Sequence, residues 1–253
     1  MARNINSAYR ILEIVNQLRS AADKTITKEV WSDIFKITEK DQNKKSVVIS
    51  RCLADLHDEV EYISSEMESY EFTSNLYIPS LNKCKTAFAI KFLETQWSQP
   101  KQQLSNEVPI VLGFLSEILP NEELLIEQSS LEELTKLAED LRKTLKKSTL
   151  PSYAKSIIEK HLFKIEDALI SYKSIGAKAF QEVMKSAYGE VIANEEIFIQ
   201  AKGSKELGKL SMLWQKTKNV IDGVVSSNDR IEGVKGMAEK GIKLLEFIDK
   251  LNV

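Results

Sequence analysis

Histidine, cysteine, proline and glycine are all scarce in this sequence, at two, two, five and nine residues of 253. So few glycines and prolines exclude a sandwich or barrel of many short strands, because each turn in such a fold draws on those residues. With only His57 and His161, a three-histidine metal site cannot form within one chain, and no HxxxH, HExxH or Glu-x-x-His pattern occurs. Phosphate-cradling GxxxxGKS/T and GxGxxG motifs are absent, as are the GxSxG nucleophile elbow and the protein-kinase motifs. Cys52 and Cys84 are not in a CxxC spacing. They are expected to be buried small hydrophobes in a reducing cytoplasm rather than a disulfide or a zinc site. No metal and no cofactor is expected.

Charge of one sign is also missing. Thirty-five Lys+Arg face 37 Asp+Glu, a net charge of -2, whereas a dedicated nucleic-acid binder carries a basic surplus that displaces counterions from phosphates. Long apolar runs are missing too. The closest, Val108–Leu119, contains Pro109 and Glu117 and falls short of the roughly 18 residues a spanning helix needs. No apolar h-region follows Met1–Arg10, so a secretory signal is not expected. A 43% hydrophobic and 28% charged composition is that of a folded chain.

What is present is helical periodicity. Ala8, Ile11, Leu12, Val15 and Leu18 form one stripe. A second helix is expected to start at Thr27, with its hydroxyl as cap and Ile26 packed on Trp31 as a hydrophobic staple. Ile49, Leu53, Leu56, Val60 and Ile63 step by 4, 3, 4, 3. Residues 66–78 alternate loosely through Tyr70, Phe72, Leu76 and Ile78, consistent with a short β-hairpin or with a loop over the helices. Pro79 and Ser80 then open a helix expected to run through Leu81, Cys84, Phe88, Phe92 and Trp97. Residues 98–106, polar and Pro-containing, read as a linker before a compact apolar helix at 108–119.

The later sequence is helix after helix. Ser130-Leu-Glu-Glu133 reads as a capping box, supported by Glu132→Lys136 and Glu139→Lys143 pairs. Pro151 opens a helix with the stripe Ile158, Leu162, Ile165, Leu169 and Tyr172, stopped by Gly176. Phe180, Val183, Ala187 and Val191 continue, followed by Leu207, Leu210, Trp214, Thr217, Ile221 and Val224 at unbroken 3/4 spacing. Six of the nine glycines fall after residue 200. At roughly 1 kcal/mol per helical Gly relative to Ala, the stripe Ile231, Val234, Ala238, Leu245 and Ile248 needs a partner surface.

Three constellations bear on chemistry. His57-Asp58 is the dipeptide of metal-dependent phosphohydrolases, but residues 1–56 supply no further histidine. Arg51-Cys-Leu-Ala-Asp-Leu-His57 resembles the motif of HEPN ribonucleases, all-α proteins in which an Arg precedes a His by four to six residues. That resemblance implies a dimer acting on RNA, with Arg51 holding the phosphate and His57 moving the proton. Here Cys52 rather than a polar residue follows the Arg. Residues six apart on a straight helix also point about 120° away from each other. The acidic groups Asp55/Asp58/Glu59/Glu61 and Glu122/Glu123 are of a type that holds a hard cation, but helical surfaces carry many such groups without one. His161 is expected as a hydrogen-bonded histidine at a helix–helix contact, with Glu159 and Glu166 solvated.

A helix-turn-helix DNA reader over residues 1–65 is disfavoured by its ten Lys+Arg and ten Asp+Glu. Residues 201–253, with ten Lys+Arg and seven Asp+Glu, are mildly basic. They suit a helix docked on its own bundle or on a second copy better than a lipid-bound one.

The sequence therefore predicts an all-α multi-helix bundle of about eight to ten helices, with an N-terminal helical module at 1–98 and a larger C-terminal bundle at 107–253. The expected function is a cytoplasmic, non-enzymatic protein–protein interaction module that self-associates or binds a partner protein. Trp214, Ile221, Val224, Leu245 and Ile248 are the contact candidates. A HEPN-like ribonuclease using Arg51 and His57 is the alternative, and a membrane-perturbing effector using the C-terminal helices stands third. DNA is not an expected partner, and RNA enters only under the ribonuclease reading.

Overall fold

The computed structural model describes residues 3–224. It is all-α, 74% helical, with one two-stranded sheet of β1 (Asn4–Ile5) and β2 (Glu123–Leu124) among the described residues. The helices are α1 (Ser7–Ser20), α2 (Thr27–Phe35), α3 (Gln42–Met67), α4 (Ile78–Ala87), α5 (Ser98–Lys101), α6 (Glu107–Ile118), α7 (Gln128–Leu145), α8 (Ser152–Ile175), α9 (Lys178–Ala193), α10 (Glu195–Gln200) and α11 (Lys205–Val224). The chain forms two compact units. One comprises Arg3–Glu123 with Lys173–Gly176; the other comprises Leu124–Tyr172 and the described chain from Ala177.

In the first unit the expected stripe on α1 is fully buried at Ala8, Ile11, Val15 and Leu18, and that on α3 at Ile49, Leu53, Leu56, Val60 and Ile63. Asn6 caps α1 by accepting from the Tyr9 N–H, and its amide donates to the Ser116 and Leu119 carbonyls. Asp41 caps α3 through the Asn43 and Lys44 N–H groups, which hold its carboxyl below the usual range. A second focus of the core is aromatic. Trp31 stacks on Phe35 and meets Phe88 and Trp97 edge-on, while the Trp97 indole N–H donates to the Leu18 carbonyl at 2.9 Å. Both cysteines are buried and free, and burial pushes the Cys84 thiol up to about 12, so it is inert as a nucleophile near neutrality.

Several local expectations are overturned by tertiary contacts. Helix α2 begins at Thr27, but Ile26 occupies the cap position and the Thr27 hydroxyl donates to the Thr95 carbonyl instead. The free N–H groups of Thr27 and Lys28 are taken by the Thr95 and Leu93 carbonyls, so a returning stretch of backbone caps this helix. For that stretch to return, the helix expected to reach Trp97 must stop at Ala87. A 3-10 turn at Ile90–Phe92 then redirects the chain, leaving Phe88 and Trp97 against Trp31.

No β-hairpin forms at 66–78. Helix α3 runs on to Met67, and a loop with a 3-10 turn at Ser74–Leu76 follows. The segment 98–106 is not a linker, since it contains α5 and buries Pro100 and Leu104. Helix α6, expected to open the second module, packs on α1 and α4, and the division between units falls after Glu123 rather than at 98–107.

The second unit gathers α7, most of α8, and α9–α11. Leu134, Ala138, Leu141 and Leu145 of α7 are buried, as are Leu207, Leu210, Trp214 and Thr217 of α11, and the two helices pack on each other. Lys209–Asp140 and Lys216–Glu133 ion pairs flank that contact. The expected capping box fails, because α7 already starts at Gln128 with Glu127 at the cap, which places Ser130 inside the first turn. Glu166 is not merely solvated but pairs with Arg142 across helices. Gly176 does stop α8, at φ +68.

Candidate functional site

Arg51 and His57 both lie on the uninterrupted helix α3, Arg51 exposed and His57 half-buried. Six residues of regular helix separate them by about 120° around its axis, so within one chain they do not converge on one point. Of the expected partner-binding residues, Trp214 and Val224 are buried and Ile221 is half-buried. The α11 stripe is thus largely interior to its own unit, and Leu245 and Ile248 lie outside the described residues. Among the described residues no group of His, Cys, Asp and Glu is arranged to hold a metal ion.

The structure assembles two polar clusters that periodicity did not reveal. In the first unit Arg10, buried on α1, meets three carboxylates: Glu59 at 2.6 Å, Glu122 at 2.7 Å and Glu123 at 3.1 Å. Its Nε donates to the Ser174 carbonyl at 3.2 Å, and Nη2, which also serves Glu59 and Glu122, lies 2.9 Å from the Ser7 hydroxyl. Burial alone would lower the Arg10 pKa. The charges of Glu122, Glu123 and Glu59 outweigh that effect and raise it, so the guanidinium stays protonated. Gly176 approaches so closely that a Cβ there would sit 2.1 Å from a Glu123 oxygen. All three guanidinium nitrogens of Arg10 donate within the cluster, which makes it a tie joining α1, α3, residues 122–123 and the end of α8. Glu59, Glu122 and Glu123, considered from sequence as cation ligands, are here ligands of a guanidinium.

In the second unit His161 of α8 is fully buried, as expected, but is not hydrogen-bonded. Neither ring nitrogen has a partner, nor has the indole N–H of Trp214. His161 meets Trp214 edge-on at 4.9 Å between ring centres and Phe198 of α10 at 6.1 Å. The nearest charge is Glu190 of α9, 3.6 Å from Nε2, and this carboxylate is already held by Lys160 at 2.7 Å and Lys164 at 2.6 Å. Burial, reinforced by the two lysines against Glu190, pushes His161 down to about 4. It is a neutral ring at physiological pH and a poor proton carrier there.

The surface carries a third feature. Helix α6 buries Val108, Leu112 and Leu115 on one side. Ile110 and Phe114 on the other are 72% and 45% exposed. The loop after α3 lies beside this outward face: Phe72, itself exposed, meets Phe114 edge-on at 5.5 Å and stacks on Tyr70. The Tyr70 hydroxyl donates to the Ile118 carbonyl at 3.4 Å. Sequence showed a compact apolar helix here, but which side met solvent depended on where α1 and α4 pack.

No helix among the described residues is long and apolar enough to cross a membrane. No known protein family, characterised protein or solved structure matches the chain.

Proposed function

We propose that the chain is a non-enzymatic, cytoplasmic helical module for protein–protein interaction, and that its contact surface is the outward face of α6 with Phe72 rather than the stripe of α11. The observation that carries this reading is the placement of Ile110 and Phe114 on the solvent side of a helix whose other side is already packed. Single exposed apolar residues are ordinary, but adjacent large ones one helical turn apart, with Phe72 in contact as a third apolar side chain, form the kind of patch that interfaces cover. With 72% and 45% of their surface still exposed, covering Ile110 is worth about 1–2 kcal/mol and covering Phe114 about 1 kcal/mol, enough to contribute substantially to a modest interface.

The reading is tested with an Ile110→Ser/Phe114→Ser double variant, compared with wild type by sedimentation and by cross-linking in the native host. Wild type should associate, with itself or with a partner, in a way the double variant loses while its circular dichroism is unchanged. A wild type that stays monodisperse across micromolar concentrations, and yields no cross-linked species sensitive to these two residues, overturns it.

A further inference from the structure

We infer that the occupant of the α6 face is a basic amphipathic helix of a partner protein, not a second copy of this chain. The inference rests on the interaction reading above and adds the chemistry of the partner.

The argument starts from where charge is missing. Residues 52–82 contain seven Asp+Glu and residues 102–123 four, and neither segment contains a lysine or arginine. All 35 basic residues of a nearly neutral chain therefore lie elsewhere. The two segments are the ones that meet at the patch, through the Phe72–Phe114 contact and the Tyr70–Ile118 hydrogen bond.

On α6, Glu107, Ile110, Phe114 and Glu117 step by 3, 4 and 3, so one helical face carries an apolar pair with a carboxylate at each end. On the adjoining loop Glu68 and Glu71 flank Tyr70 and Phe72, and both are exposed. The basic side chains in contact with these segments include Lys83, which pairs with Glu107, Lys85, which pairs with Glu61 at 2.5 Å, and Arg19, which donates to the Asn106 side chain at the start of α6. Glu68, Glu71 and Glu117 take part in no ion pair among the described residues.

An apolar centre with an acidic rim selects its partner by both terms. The Ile110/Phe114 ridge, spaced one turn apart, matches the side-chain rows of a second helix packed about 8–10 Å away. The unpaired carboxylates favour Lys or Arg flanking that helix's apolar stripe and speed its encounter. The same rim disfavours the competitors. A symmetric dimer through this face would set acidic edge against acidic edge, and an anionic membrane would be repelled.

The test uses three fluorescein-labelled helical peptides of about 18 residues (roughly five turns) that share one leucine face and carry Lys, Gln or Glu on the other, titrated against the full chain by anisotropy. The Lys peptide should bind most tightly, and raising salt should weaken it. Glu68→Gln/Glu71→Gln/Glu117→Gln should cost the Lys peptide about tenfold and leave the Gln peptide unchanged. Ile110→Ser/Phe114→Ser should abolish binding of both, and sedimentation of the chain alone should show no dimer that these two residues control. If Lys and Gln peptides bind equally, and both are lost in the apolar variant, the basic partner is refuted while the interaction face stands. If Lys-peptide binding ignores the apolar variant, or the chain dimerises through this face, the inference fails.

Discussion

His161 gives the sharpest test of the packing described for the second unit. Its ring is fully buried, packed edge-on against Trp214, with both nitrogens unpartnered. An ordinary histidine titrates near 6.5, and this one is pushed down to about 4. The unfolded chain therefore binds a proton between these values that the folded chain refuses, so stability is full above pH 6.5 and falls as pH drops towards 4. Over the whole window the loss is about 3 kcal/mol, and by pH 5 it is about 2 kcal/mol. Burial by itself would raise the Glu190 carboxyl, but hydrogen bonds from Lys160 and Lys164 hold it low. Its own contribution is lost only as pH falls through that lowered value, below the upper part of the histidine window. Proton NMR can follow the pair directly, since the chain has only His57 and His161. One imidazole should remain untitrated down to about pH 5, and it should vanish from the spectrum of His161→Phe. Urea unfolding monitored at pH 7.5 and 5 should show a loss of about 2 kcal/mol in wild type and a much smaller one in that variant. Two histidines titrating between pH 6 and 7, or an acid loss identical in wild type and variant, would refute the reasoning.

Two further predictions concern the Arg10 cluster. Gly176→Ala places a Cβ on a residue at φ +68 and within 2.1 Å of a Glu123 oxygen. Thermal unfolding should show a loss of more than about 2 kcal/mol, combining the left-handed backbone cost with displacement of the cluster. Arg10→Met keeps the volume but leaves Glu59, Glu122 and Glu123 without their common counter-charge, and should cost about 3–5 kcal/mol by urea titration. A loss under about 1 kcal/mol would mean that these carboxylates are solvated rather than held.

The elements that proved legible were those whose signal is local and repeated. The stripes of α1, α3, α8 and α11 are largely buried where their periodicity placed them, with Leu12, Leu169 and Ile221 half-buried at their margins, because an amphipathic face has one stable way to meet a core. Gly176 stops α8 because few other residues tolerate its backbone angle. Helix ends were less legible. A cap read from three or four residues loses whenever distant backbone supplies the same hydrogen bonds, as Leu93 and Thr95 do for α2. Residues 88–97 kept a helix-like pattern of large apolar residues, and broke because Trp31 draws Phe88 and Trp97 onto two of its sides.

The candidate surfaces divide along the same line. Composition and spacing alone established an all-α chain with no familiar set of reactive groups, since these depend on residue type and on the pitch of one helix. They also contained the acidic bias of 52–82 and 102–123, though not its meaning. Only the tertiary structure decided that Glu59, Glu122 and Glu123 turn inward to Arg10, that Trp214 is buried in its own unit, and that Ile110 and Phe114 face water. Each outcome depends on which helices lie side by side. That is set by long-range packing among residues far apart in the chain, and no local pattern encodes it.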